Sequence, residues 1–518
     1  MKAAERAPEA CAFRCGGKQL SYAELDAASD RLSRFLVKQG VVRGDRIGVF
    51  MPRCVETVVA VYGILKAGAI FVPIDPNLSA GSVATLVNDC EIKVLLTQPP
   101  RARVLSRLVE LETTLECLIG TPEDFETPSS IKSFQWHACE SESTGLPDVG
   151  VINPGDPAYI MYSSGSTGTP KGITHTHYSG LSYSRLSIET YNVSSDDVIA
   201  NHSPISFDMS TFGYFTSMLA GATTVLVPEA HTKFPASLAR LIEKERITIW
   251  YSVPLALVQL MLRTELPSFD MSSIRWVKYG GEPFAPRHLC ALMKLWPHAR
   301  FSNVYGPAEV NQCTYYHIPP SYADGGDEPV PIGRVWNESA GLVINDSDEV
   351  LLNGKPGELV ISSPTMMQGY WARPDRNANA FFEYASEGVS RTYYRTGDLV
   401  QRRDDGNLMF LGRKDRQVKI RGYRIELDEV ERALSGLPEI EEAGVFCVST
   451  DDEKQIHSAV IPEEGALITA EEIKSRLLSV LSPYAVPTVI QVVDQLPRTV
   501  SGKIDRTTLT KETEQAIG

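Results

Sequence analysis

The stretch that decides the fold runs Tyr159-Ile160-Met161-Tyr162-Ser163-Ser164-Gly165-Ser166-Thr167-Gly168-Thr169-Pro170-Lys171-Gly172-Ile173. Four apolar or aromatic residues give way abruptly to Ser, Thr and Gly, the pattern of a buried strand handing the chain to a polar turn. Gly165, Gly168 and Gly172 let the backbone approach a ligand closely. Ser163, Ser164, Ser166, Thr167 and Thr169 supply hydroxyls, backbone N–H groups add donors, and Lys171 adds a positive charge. Many donors, little side-chain bulk and one cation are what a polyphosphate requires. The spacing is not that of the P-loop, which has four residues between its glycines and then Gly-Lys-Ser/Thr. Here Ser166 and Thr167 alone separate Gly165 from Gly168, and Gly172 follows Lys171. A plain Gly/Ser surface loop is the competing reading. The buried strand before it and three glycines around one lysine weigh against that.

Outward from this loop, 518 residues are too many for one core and imply two to four domains. Hydrophobic and charged fractions of 43% and 22% are those of an ordinary globular protein. A net charge of −14 argues against nucleic acid or an anionic membrane as the main partner. The nine cysteines are scattered without a C-x-x-C pair or a histidine cluster, which reads as reduced thiols in the cytoplasm. The first residues lack the apolar core of a signal peptide, and no run of about 18 apolar residues exists to span a membrane.

Strand-like and helix-like patterns alternate on both sides of the loop. Ser21 and Glu24 have capping-box spacing ahead of a helix to about residue 39. Strands are expected at 46–51, 69–74, 94–96 and 118–119, with a helix at 56–66. A long surface connection is expected over 121–155. Further strands are expected at 198–203, 223–227 and 248–251, and helices at 211–219, 235–246 and 255–264. Such alternation predicts mostly parallel sheets covered by helices. From 340 to 410 the pattern shortens into strands with turns at Asn353-Gly354, Pro356-Gly357 and Asp405-Gly406, a β-rich subdomain. Gly412–Arg424 is then densely charged. Beyond it, a helix at 427–434, strands at 445–448 and 458–461 and a helix at 470–479 predict a small α+β domain. The expected organisation is therefore α/β. A large N-terminal unit spans 1–413, its β-rich part covering about 330–413, and a small mobile C-terminal domain spans 414–518.

Five further polar motifs follow in order. They are Phe207-Asp208-Met209-Ser210, Asn303-Val304-Tyr305-Gly306-Pro307-Ala308-Glu309, Tyr394-Arg395-Thr396-Gly397-Asp398-Leu399, the charged run at 412–424, and Arg498-Thr499-Val500-Ser501-Gly502-Lys503-Ile504-Asp505-Arg506. With the Ser/Thr/Gly loop they resemble, in this order, the ANL superfamily of adenylate-forming enzymes, and most closely the amino-acid adenylation domains of non-ribosomal peptide synthetases. The resemblance extends from Leu20 to Arg506. It implies an ATP-dependent ligase that converts a carboxylate into an acyl-adenylate. ATP would be held by Ser163, Ser164, Gly165, Ser166, Thr167, Gly168, Lys171, Gly281, Asn303, Tyr305, Gly306, Asp398 and Arg413. Tyr305 would stack on adenine, Asn303 would bind its amino group, and Asp398 would accept from both ribose hydroxyls. Glu309 would hold Mg²⁺, a hard-oxygen site. Lys503, the catalytic lysine, would lie between the carboxylate and the α-phosphate. Asp415 resembles the hinge about which the small domain turns between adenylating and thioester-forming states. In the second state the 417–424 loop, with Gly422, would line the tunnel for a phosphopantetheine thiol. Where the family often has Thr, this chain has Ala308, so one hydroxyl near the phosphates is missing.

Asp208 points to an amino acid, because in that branch the matching aspartate pairs with the α-ammonium. Its competing role is a helix N-cap. The resemblance puts the remaining pocket walls at Met209, Phe212, Tyr251, Lys278, Gly280, Val304, Gln312 and Cys313. Asp208, Phe212, Tyr251, Cys313 and Lys503 look like the pattern of stand-alone prolyl activators. Met209, Lys278, Gly280 and Gln312 depart from it, and Lys278 and Gln312 are polar where that pattern is apolar. A small L-amino acid is expected, proline first, then alanine, serine or a small acidic residue. The short tail after Lys503 leaves no room for a carrier domain, so the acceptor is expected to be the phosphopantetheine of a separate carrier protein. The alternative is an acyl- or aryl-CoA ligase of the same fold.

Overall fold

A computed structural model describes residues 2–163, 170–386, 388–449, 454–499 and 504–517. Two large sheets form the body of the molecule. The nine-stranded sheet runs Arg334–Val335, Thr314–Ile318, Arg300–Tyr305, Trp276–Gly280, Ile249–Ser252, Val198–Asn201, Thr223–Leu226, Cys11–Cys15 and Lys18–Ser21. Its central pairs are parallel and its edges antiparallel. The central strands Ile249–Ser252 and Trp276–Gly280 are buried along their whole length, which is why they read as continuous apolar runs rather than alternating ones.

The eight-stranded sheet runs Gly369–Tyr370, Lys171–Thr176, Pro157–Ser163, Ile70–Pro73, Arg46–Phe50, Val94–Thr97, Cys117–Ile119 and Lys132–Phe134. The strand Pro157–Ser163 turns back antiparallel onto Lys171–Thr176, with Ser163 opposite Lys171. Residues 164–169, the centre of the polar loop, lie outside the described residues. Helix Tyr22–Lys38 starts at Ser21 as expected: the Ser21 hydroxyl accepts from Glu24 N at 3.1 Å, and Ser21 N donates to the Glu24 carboxylate at 2.7 Å. It crosses helix Val55–Lys66 closely. A Cβ on Gly63 would stand 2.6 Å from a Leu32 methyl.

Three departures from the sequence reading have physical causes. The 211–219 stretch is not one α-helix. A 3-10 turn at Asp208–Ser210 passes into a π-turn at Phe212–Thr216 and an α-turn at Ser217–Ala220. Thr211 and Ser217 hydroxyls donate to the carbonyls of Asp208 and Gly213, a local competition that distorts helices. The 121–155 connection contains an edge strand, Lys132–Phe134, and a 3-10 turn at Trp136–Cys139. Helix Pro374–Ala380 interrupts the β-rich region, opened by a proline at its first position.

Residues 340–413 build a five-stranded antiparallel sheet centred on Val389–Arg402. After Arg413 the chain forms a hairpin, Gln417–Ile420 with Tyr423–Glu426. A three-stranded sheet of Ile440–Ser449, Lys454–Pro462 and Val489–Val492 follows, with helices Leu427–Ser435, Ala470–Val480 and Arg506–Ile517 around it. This last part has its own apolar core, including Val430, Leu434, Val445, Val460 and Leu477. Among the described residues no helix is long and apolar enough to cross a membrane, and all nine cysteines are free thiols.

Candidate active site

A cavity of about 570 Å³ opens where the ends of both large sheets meet the hairpin at 417–426. Ser163, Asp208, Met209, Tyr251, Gly281, Val304, Tyr305, Gly306 and Gln312 line it directly, together with Lys419, Gly422, Tyr423 and Arg424 of the hairpin. Parallel strands converge here because their C-terminal ends release loops on one edge of the sheet.

Gly306 follows strand Arg300–Tyr305 at a point where a Cβ would collide with the Asn311 carbonyl at 1.5 Å. Only glycine permits this fold-back, and it brings Glu309 beneath the cavity. Gly280 is similarly confined, its Cβ position 2.4 Å from Val304 O. The Tyr305 hydroxyl donates to Asp398, which also accepts from Arg413 Nη1 at 2.7 Å. Arg413 is fixed in turn by two 2.7 Å hydrogen bonds to Asp415, so the expected ribose and hinge residues form one chain of contacts. Burial and the Asp398 and Asp415 carboxylates oppose each other at Arg413, and the carboxylates prevail, holding it charged. Asn303 donates to Pro331 O at 2.8 Å.

Glu309 is fully buried. Its two oxygens accept from Arg424 Nη1 at 2.8 and 2.7 Å, the Tyr370 hydroxyl donates at 2.8 Å, and Lys171 Nζ lies 3.6 Å away. Burial alone would raise its pKa, but Arg424 and then Lys171 outweigh it and hold the carboxylate well below the usual range. Lys171 is pushed down to about 8, by burial first and the Arg424 charge second, against the pull of Glu309. Sequence reasoning missed Arg424 and Tyr370 as partners of Glu309. The charge density of the 412–424 run was visible, but its direction of reach was not. Lys419 was missed too. It is half-buried in the cavity wall within electrostatic reach of Asp398 and Asp208, and its ammonium stands 6.0 Å from the Tyr305 ring centroid.

Asp208 keeps its own turn in place, accepting from Met209 N at 2.9 Å, and still faces the cavity. Burial raises its pKa, partly countered by Lys419. Phe212, Lys278 and Cys313 lie in the wall behind the lining side chains, all fully buried. The Cys313 thiol is directed to Tyr305 O at 3.6 Å. Lys503 and Ser164, Gly165, Ser166, Thr167 and Gly168 lie outside the described residues.

Two family models cover most of the chain. The AMP-binding enzyme model matches residues 1–371, and the AMP-binding enzyme C-terminal domain model matches 429–503. The chain belongs to the AMP-binding enzyme family. Among its relatives, an L-proline--[L-prolyl-carrier protein] ligase of Streptomyces coelicolor is 34% identical over 501 residues, covering 95% of this chain and 91% of the relative. A protein of the same name from Pseudomonas fluorescens is 31% identical, covering 96% and 94%. In fold, this AMP-binding enzyme is similar to the Vibrio cholerae adenylation domain AlmE in complex with glycyl-adenosine-5'-phosphate. The TM-score is 0.83 at 24% identity over 99% of this chain and 96% of that one. It is also similar to the amide bond synthetase McbA from Marinactinospora thermotolerans, with a TM-score of 0.85 at 22% identity over 99% of both chains.

Proposed function

We propose that this AMP-binding enzyme activates a small L-amino acid with ATP and passes it to the phosphopantetheine thiol of a carrier protein. The observation that supports the reading is one cavity lined by Asp208, an anion for an ammonium group, by Tyr305, whose hydroxyl leads on to Asp398 and Arg413, and by Arg424, which leads on to Glu309 and Lys171. The names of the two prolyl relatives support carrier loading and put proline among the first substrates to try.

In the first step a carboxylate oxygen attacks the α-phosphorus of ATP and the bond to pyrophosphate breaks. Both reactants are anionic, so the site must hold them together and spread the charge. Asp208 orients the amino acid through its ammonium. Tyr305 and Asn303 take the base, Asp398 the ribose, and Lys171 a phosphate oxygen. Lys503 stands between carboxylate and phosphate in this reading. Glu309 fits Mg²⁺, because it is a buried carboxylate that demands cationic partners. When bound there, the ion supplies neutralisation of the phosphate charge. In the second step the thiol sulfur attacks the acyl carbon, the bond to AMP breaks, and the thiol proton is released.

ATP–pyrophosphate exchange across the standard amino acids, with aryl and fatty acids as controls, tests the reading. Exchange with an amino acid, and an amino-acid KM raised far more than the ATP KM in Asp208→Ala, is the expected result. Exchange with an aryl or fatty acid alone would place the enzyme among CoA ligases and leave Asp208 a turn cap.

A further inference from the structure

We infer that Lys278 and Gln312 are specificity-determining residues that receive an oxygen acceptor at the end of the substrate side chain, so that the preferred amino acid is acidic, aspartate or glutamate, rather than proline. The inference rests on the amino-acid-activating reading above and narrows it.

Lys278 sits in the middle of strand Trp276–Gly280, in register with Tyr251 on one side and Ser302 on the other. It is fully buried, so its ammonium does not escape along the surface. Nζ stands 3.5 Å from the ring centroid of Phe212, 4.1 Å from Tyr191 and 4.5 Å from Tyr251. Aromatic faces attract a cation but accept no full hydrogen bond. Nζ has no hydrogen-bond partner among the described residues and enters no ion pair there. With no carboxylate to offset burial, its pKa falls well below the ordinary lysine value.

Gln312 carries a second orphan. Its Nε2 donates to the Tyr191 hydroxyl at 3.0 Å, while Oε1 is buried without a partner. Turning the amide over exchanges the two atoms and still leaves one unmatched. The two orphans meet at Tyr191, whose ring faces Lys278 and whose hydroxyl meets Gln312. Gln312 and Tyr251 line the cavity, and Lys278 lies one side chain deeper.

Buried polar groups without partners are costly and uncommon, and one in the wall of a binding cavity, with a second one side chain behind it, calls for a ligand. Proline brings no polar side-chain atom and leaves both unmatched. A carboxylate accepts from Lys278 and restores its charge; with the Gln312 amide turned over, the Tyr191 hydroxyl donates to Oε1 and the freed Nε2 donates to the same carboxylate. Asp208 on the cavity wall takes the α-ammonium, so the two ends of an acidic amino acid meet opposite charges.

The test is ATP–pyrophosphate exchange by the full chain with L-aspartate, L-glutamate, L-proline, L-alanine and L-serine, in the wild type and in Lys278→Met. Aspartate or glutamate is expected to give the highest kcat/KM. Lys278→Met should lower that value about tenfold or more, and by clearly more than it lowers the values for neutral amino acids. Calorimetry in two buffers of different ionisation enthalpy should show proton uptake when the acidic amino acid binds the wild type, and none with Lys278→Met. Proline as the best wild-type substrate would overturn the inference and leave amino-acid activation standing. Equal losses for acidic and neutral substrates in Lys278→Met would overturn it as well. Exchange with none of the five overturns it, and exchange with no amino acid at all removes the underlying reading too. The wild-type ranking decides alone if Lys278→Met does not fold.

Discussion

Lys171 shows how one residue is set for its ligand. It closes the polar loop on the described side, is 6% exposed, and lies over the Tyr370 ring at 5.2 Å from the centroid. Its pKa of about 8 against 10.5 means that the folded protein gives up this proton earlier than the unfolded chain. Between those values the unfolded state binds more protons, so this group's contribution to stability rises with pH across that window. Triphosphate oxygens favour the ammonium form. ATP binding near pH 8.5 is therefore expected to take up a fraction of a proton, and Lys171→Met should lose it. Titration calorimetry with ATP alone in two buffers of different ionisation enthalpy measures this directly. Equal uptake by wild type and variant would remove Lys171 from the phosphate site.

The hairpin at 417–426 is the element that joins the small C-terminal part to the cavity. Its two turn residues both have positive φ, 53° at Arg421 and 82° at Gly422, the geometry of a tight two-residue turn. A Cβ on Gly422 would lie 2.5 Å from Val253 Cγ1, and Gly281 approaches from the same side. Tyr423 stacks on Tyr484 at 3.7 Å and meets Phe207 edge-on at 4.9 Å. The tip is thus wedged against the large body with no room for a side chain. Gly422→Val adds both steric overlap and a β-branched residue at positive φ. If, as the proposed function has it, the docked hairpin belongs to the thioester-forming arrangement, transfer of the acyl group to carrier should fall about tenfold or more, with pyrophosphate exchange nearly unchanged. Equal losses in both assays on one preparation would show the turn to be a general folding requirement instead. Elements of this kind differ in how well a sequence reveals them. The buried strands Arg46–Phe50 and Ile249–Ser252 are plain from their apolar runs, and helix Tyr22–Lys38 from its capping box. The edge strand Lys132–Phe134 is hidden, since Lys-Ser-Phe carries no alternation and its register comes from Cys117–Ile119. The turns of 208–220 are hidden because hydroxyl-to-carbonyl bonds and the close approach of Gly213 to Asn201 decide them.

At the scale of the molecule, motifs far apart in sequence come together: Asp208, Tyr305 and Gly306 line one cavity, and Asp398 and Arg413 join it through the Tyr305 hydroxyl. Which partner each charge takes was not legible, because that depends on how the part after Arg413 sits against the rest. Arg424 is the clearest case. It crosses from the hairpin to grip both oxygens of Glu309, 115 residues away in sequence. Arg424 Nη1 on both oxygens and the Tyr370 hydroxyl on one occupy much of the Glu309 carboxylate, so in the proposed function Mg·ATP at Glu309 would compete with the docked hairpin. Removing one member of a buried pair typically costs about 3–5 kcal/mol, here softened by Tyr370 and Lys171, which remain on Glu309. Because Glu309's pKa is depressed, the contact's contribution is complete above the ordinary glutamate pKa near 4.3 and is lost only as the pH falls through the lower folded value. The docked arrangement therefore does not depend on pH between about 5 and 7 through this group. Arg424→Ala should release the hairpin at neutral pH: amide hydrogen exchange in 417–426 is expected to accelerate about tenfold or more, while the cores of the two large sheets keep wild-type protection. Mg·ATP should accelerate the same amides in the wild type and add little in Arg424→Ala. Unchanged exchange in the variant would mean that packing at Tyr423 and Gly422, not the ion pair, holds the two parts together.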